Sequence, residues 1–142
     1  MKEKTRKSVC NCINLRRAAN AVTEYYDQWL KPSGLTINQY SLLINLSRLG
    51  RGSVSDLARQ VGLDRTTLVR GLRPLLEAGL IEDLASESRR NRLLTPTESG
   101  RTVLKLARPL WEKAQAGLED CLGREQVQPL TELLSRLEYI SL

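Results

Sequence analysis

The sequence predicts a mainly α-helical chain with one small β hairpin. Three observations carry that prediction. Apolar residues recur at helical spacing on both sides of a central segment, from about Asn11 to Leu30 and again from Val103 to Leu137. The segment from Ser53 to Arg101 reads as two short helices, the second with arginines along one side. It continues through LIEDLA, SESRRN and RLLT, which read as a strand, a turn rich in arginine and a returning strand.

Residues 1–10 read as a flexible basic arm. The first helix follows the spacing of Leu15, Ala18, Ala19, Val22, Tyr25, Tyr26 and Trp29, and KPSG ends it through Pro32 and Gly34. Thr36, with Gln39 three places on, is a capping box for a second helix that buries Ile37, Tyr40, Leu43, Ile44 and Leu46. Gly50-Arg51-Gly52 closes that helix. Ser53 and Asp56 repeat the box at the start of VSDLARQVG, Gly62 ends it, and Asp64 caps the next helix. Gly79 stops that one. Thr97 caps a long helix through Val103, Leu104, Ala107, Leu110, Trp111, Ala114, Leu118 and Leu122, which Gly123 breaks. A last helix carries Val127, Leu130, Leu134 and Leu137. Pro74 is expected to kink its helix and Pro109 to bend the long one, while Pro129 requires the last helix to begin near Arg124.

With 142 residues the chain is long enough for one domain with its own core. Its 22 Lys and Arg against 16 Asp and Glu leave a net charge of +6, which favours a polyanionic partner. The 3 cysteines form no disulfide framework. With no histidine, the commonest metal ligand and general base are missing, and no phosphate-loop, dinucleotide or HExxH string is present. No catalytic residue, metal site or cofactor is expected. No apolar run approaches the roughly 20 residues needed to span a bilayer, and KEKTRK lacks the apolar core of a secretory signal. A cytoplasmic protein without a membrane partner is the expectation.

The helix opened by Asp64 carries the functional signal. At about 100° per residue, Leu68, Leu72 and Leu75 share one side. Arg65, Thr66, Val69, Arg70 and Arg73 share the other. Such a face suits a DNA major groove, where Arg65 and Arg70 can meet guanine or phosphate and Val69 a thymine methyl. Thr66 and Thr67 lie in the first turn, where hydroxyls and free amides suit a phosphate, although Thr67 equally suits the cap. Arg73 suits a phosphate or plain solvent. Arg89, Arg90 and Arg92 cluster at the hairpin tip, and a narrow minor groove attracts arginine. A solvated amphipathic helix and a soluble turn would show the same residues, so the pattern alone leaves both readings open.

Two strings resolve the pattern into a family. SDLARQVGLDRTTLVRGLRPLLEAGLIE and SRRNRLLTPTESGR resemble the MarR family of bacterial transcription regulators. The second string departs from the family's wing signature in two places. Ser88 stands at the usual acidic position, with Glu87 one place earlier, and Pro96-Thr97 replaces the Leu-Thr pair. The resemblance implies a winged helix-turn-helix lobe at 36–96, with dimerisation helices at 11–34 and 97–142. It implies a homodimer, usually a repressor, on a pseudo-palindromic double-stranded DNA operator with half-sites about one helical turn apart. It also places Arg90 in the minor groove, with Arg89 and Arg92 on phosphates.

The same resemblance implies control by a small molecule or by oxidation. Cys10 and Cys12, beside Lys7, Arg16 and Arg17, are the candidate redox sensor. Arg17, Tyr26, Trp29 and Tyr40 are the candidate lining of a pocket for an aromatic acid. Structural roles for the cysteines and the aromatic residues remain open. The competing functional class is a winged-helix module that binds protein instead of DNA.

Overall fold

Capping chemistry sets most of the element boundaries. The structure, a computed structural model, describes residues 6–85 and 92–141. Helix α1 spans Asn11–Leu30 and ends in a 3-10 turn, Lys31–Ser33, closed by Gly34 at φ +80, a conformation that favours glycine. Helix α2 spans Ile37–Leu49, α3 Val54–Val61 and α4 Arg65–Glu77. Strands β1, Ile81–Asp83, and β2, Leu94–Pro96, pair antiparallel, and α5, Glu98–Leu122, and α6, Arg124–Glu138, complete the chain.

Both expected capping boxes form. The Thr36 hydroxyl accepts from the Gln39 amide at 3.1 Å, and the Gln39 side chain accepts from the Thr36 amide at 3.0 Å. Ser53 and Asp56 exchange the same pair of bonds at 3.0 and 3.2 Å. Thr97 caps α5 by accepting from the Gly100 amide at 3.1 Å while donating to the Gly79 carbonyl at 2.7 Å. The start of α5 is therefore tied to the end of the α4 turn.

One leucine-rich core holds the elements together. Leu42, Leu43 and Leu46 of α2, Leu57 of α3 and Leu68, Leu72 and Leu75 of α4 are buried in one cluster. Ile81 and Leu94 of the hairpin join it, as do Leu30, Leu35, Leu104 and Ala107. The core therefore runs past both boundaries expected for the central lobe, at 36 and 96, because the first half of α5 packs directly on α2. Farther along, the Tyr25 hydroxyl donates to the Ala114 carbonyl at 3.2 Å and the Tyr26 hydroxyl donates to the Gln115 side chain. These bonds join α1 to the middle of α5, whereas α6 buries no residue in the protomer.

Several details differ from the sequence reading. Residues 6–10 are folded against α1: Asn14 accepts from the Ser8 amide at 3.1 Å and donates to the Ser8 carbonyl at 2.8 Å, and Arg17 donates to the Arg6 carbonyl at 3.1 Å. The returning strand begins at Leu94 instead of Arg92 and ends at Pro96, just before the Thr97 cap. Gly52 forms an unexpected bridge on the other side of Leu94, with bonds of 3.0 and 2.8 Å. Helices α4 and α5 run on through Pro74 and Pro109, and α6 starts at Arg124, as Pro129 requires. No described helix is long and apolar enough to cross a membrane.

Gly100 marks the tightest junction. A Cβ there would stand 2.1 Å from the Leu80 carbonyl oxygen, a backbone atom that cannot turn aside. Gly100→Ala is expected to destabilise the chain by about 2 kcal/mol or more, the scale of an overpacked core, as read from denaturant unfolding. Unchanged stability would show that α5 does not need this close approach.

Candidate nucleic-acid interface

Helix α4 is positioned from both ends. At its start the Asp64 carboxylate accepts from the Thr67 amide at 2.9 Å and from the Thr67 hydroxyl at 2.7 Å. These bonds, the amide first, hold the Asp64 carboxyl below its ordinary value, so it is a firm cap at neutral pH. They also engage both donors of Thr67, which places that residue in the cap and not among the free phosphate donors. Along the inner side Leu68, Leu72 and Leu75 are 0%, 1% and 1% exposed. Gly71 lets the helix settle on α2, since a Cβ there would lie 2.9 Å from a Leu42 methyl.

The outer side is left bare. Arg65, Thr66, Arg70 and Arg73 are exposed, and Val69 is 38% exposed between them. Arg73 pairs with Glu77 at 3.2 Å in an exposed i, i+4 contact. Such surface pairs contribute well under about 1 kcal/mol, so a phosphate can compete for Arg73. The structure thus brings Arg65, Thr66, Val69, Arg70 and Arg73 onto one accessible face. The open amphipathic pattern of the sequence becomes a rigid ridge.

The hairpin carries the arginines that the sequence assigned to the wing. Arg89 and Arg90 lie outside the described residues. Arg92 stands at the base of the hairpin, partly exposed, with its Nε 3.9 Å from an Asp83 oxygen. The family resemblance implies a phosphate contact for Arg92, whereas in the protomer its guanidinium faces a carboxylate. Asp83 of β1 is the acid that faces Arg92. Sequence reasoning also treated Arg51 only as part of a turn. It is exposed beside the sheet, between Gly50 and the bridged Gly52, and only the bridge reveals that placement.

The four residues proposed for an effector pocket sit in different surroundings in the protomer. Tyr26 is buried and bonded to Gln115, Trp29 faces outward at 38% exposure, and Arg17 is bonded to the Arg6 carbonyl. Tyr40 lines a cleft of about 700 Å³ between α2 and α5. Its ring stacks on Trp111 at 6.3 Å, and Ile44, Arg48, Arg108 and Glu112 complete the walls. Burial pushes the Tyr40 hydroxyl above its ordinary pKa, so it stays a neutral donor. Cys10 is the N-cap of α1, and both it and Cys12 are exposed. Within the protomer the Tyr25 and Tyr26 hydroxyls are engaged on α5 and not at these thiols.

Comparison with known proteins matches this architecture. Residues 35–91, which hold α2, α3, α4 and β1, fit the MarR family model. The M. tuberculosis transcriptional regulator MosR, solved in complex with DNA, is 34% identical over 90% of this chain and 98% of its own, with a TM-score of 0.73. NadR, solved with 4-hydroxyphenylacetate, is 26% identical over 98% of this chain and 99% of its own, with a TM-score of 0.67. Bordetella bronchiseptica BpsR, whose DNA binding is regulated by 6-hydroxynicotinic acid, shares the fold with a TM-score of 0.82 at 22% identity, over 97% and 100% of the two chains. On its sequence identity with MosR, its match to the family model and the winged helix-turn-helix just described, this chain belongs to the MarR family of transcriptional regulators.

Proposed function

We propose that the chain is a sequence-specific DNA-binding repressor that occupies a pseudo-palindromic operator as a homodimer. The observation that carries this reading is α4, capped by Asp64, seated on three buried leucines and bare along its basic face. The solved MosR complex with DNA supports the same reading. Arg65 and Arg70 meet guanine edges or phosphates, Val69 a thymine methyl, and Thr66 and Arg73 phosphates. By the family resemblance, Arg90 is the minor-groove residue, with Arg89 and Arg92 on phosphates.

Two bare apolar stripes support the dimer. Leu15, Val22 and Trp29 are exposed along α1, and Leu130, Leu133, Leu134 and Leu137 along α6. Apolar surface of this extent on a single protomer marks a protein interface, and a second copy covers it. Two α4 ridges then face successive major grooves, ~10 base pairs apart.

The α2–α5 cleft is the effector site in this reading. Stacked aromatic rings beside Arg48 and Arg108 suit a small aromatic acid, and the acids named for NadR and BpsR fit that chemistry. Oxidation is a second input, favoured by the exposure of Cys10 and Cys12 at a helix N-terminus.

Mobility shifts on the DNA upstream of the chain's own coding region, across salt concentrations, test the central reading. Arg70→Ala is expected to weaken the specific complex roughly tenfold or more, the range of one good base contact. Parent-like affinity in the variant, or no specific complex and a flat salt dependence in the parent, contradicts it. Peroxide is expected to weaken binding in the parent and to leave a Cys10→Ser, Cys12→Ser double variant unaffected. A loss that persists in the double variant removes the cysteines from the mechanism.

A further inference from the structure

The Asp83 side chain contacts both ends of the hairpin. Its Oδ1 accepts from the Ala85 amide at 3.0 Å on the outgoing side and from the Leu93 amide at 3.2 Å on the returning side. Its Oδ2 faces the Arg92 guanidinium at 3.9 Å. Directly across from Asp83, Leu94 is held on its other side by Gly52, and the Thr95 hydroxyl donates to the Gly50 carbonyl at 2.7 Å. The returning strand is thus fixed from two directions, by the α2–α3 turn and by one carboxylate.

A carboxylate on a DNA-facing element has a cost. It repels phosphates, so a bystander acid there weakens binding and its removal tightens it. We propose that Asp83 is instead a positioning residue for DNA binding, which holds Ala85, Arg92 and Leu93 in the register from which the wing meets the duplex. This inference rests on the DNA-binding reading above, and the sign of one substitution tests it.

The probe is a fluorescent duplex that the parent full-length protein retains from its own genome, titrated at several salt concentrations. Asp83→Ala removes the acceptor and is expected to weaken binding about tenfold, the scale of one charge-assisted hydrogen bond. Asp83→Asn keeps an oxygen acceptor for the same two amides and is expected to restore most of that loss. The slope of log affinity against log salt is expected to become shallower in Asp83→Ala, because wing contacts to phosphate are lost. Partial unfolding would lower the active fraction and leave the slope unchanged, so an unchanged slope overturns the proposal. Parent-like or tighter binding by Asp83→Ala overturns it too, and marks Asp83 as a bystander. If the parent itself retains no duplex, the DNA-binding reading fails and this inference falls with it. Hydrogen exchange of the Leu93 amide in the free protein, expected to speed up in Asp83→Ala, is read without DNA and overturns the clamp if unchanged.

Discussion

The close approach of α4 to α2 at Gly71 and Leu42 is the constraint on which the basic face depends. A Cβ at Gly71 would stand 2.9 Å from a Leu42 methyl group, so this turn of α4 packs closely over that side chain. That proximity closes Leu68, Leu72 and Leu75 over Leu42, Leu43 and Leu46 with almost no exposed area. Close-packed interiors transmit small shifts, so a displacement of α2 is felt at the seam that seats α4. The arginines are therefore presented from a helix seated on that leucine seam. Their function depends on that leucine seam as much as on their own charge.

Helix α2 also forms a wall of the cleft it shares with α5. Tyr40, Ile44 and Arg48 face that cleft, while Leu42, Leu43 and Leu46 of the same helix are buried in the core that seats α4. A molecule that wedges α2 from α5 would act on the helix that carries the reading head. The other end of the lobe is tied in the same manner, by Thr97 on the Gly79 carbonyl and by Gly100 against Leu80. In the proposed reading, a ligand in the cleft and a contact on DNA would both bear on α2, and coupling follows if α2 has two arrangements that each favours differently.

The parts legible in the sequence were those set by neighbours. Thr36 with Gln39, Ser53 with Asp56, and Asp64 ahead of its helix each act within three residues, and all three caps form. The leucine period of α4 named its buried side correctly because a helix repeats every ~3.6 residues. Contacts between distant residues were not legible. Tyr26 looked available for a pocket, but its hydroxyl is engaged by Gln115, 89 residues away. The Gly52 bridge to Leu94 is one residue long and leaves no periodic trace. The partners of Asp83 depend on hairpin register, which no local pattern in the sequence encodes. Trp29, counted among the pocket residues, faces outward along the apolar stripe of α1.

The central claim is that the α4 ridge reads DNA as one half of a symmetric pair. Hydroxyl-radical footprinting on a genomic fragment retained by the protein tests it most directly. Two equivalent protected patches related by a dyad, with centres about one helical turn apart, are the expected result. A single patch without symmetry, or uniform weak protection that vanishes at moderate salt, would contradict the account.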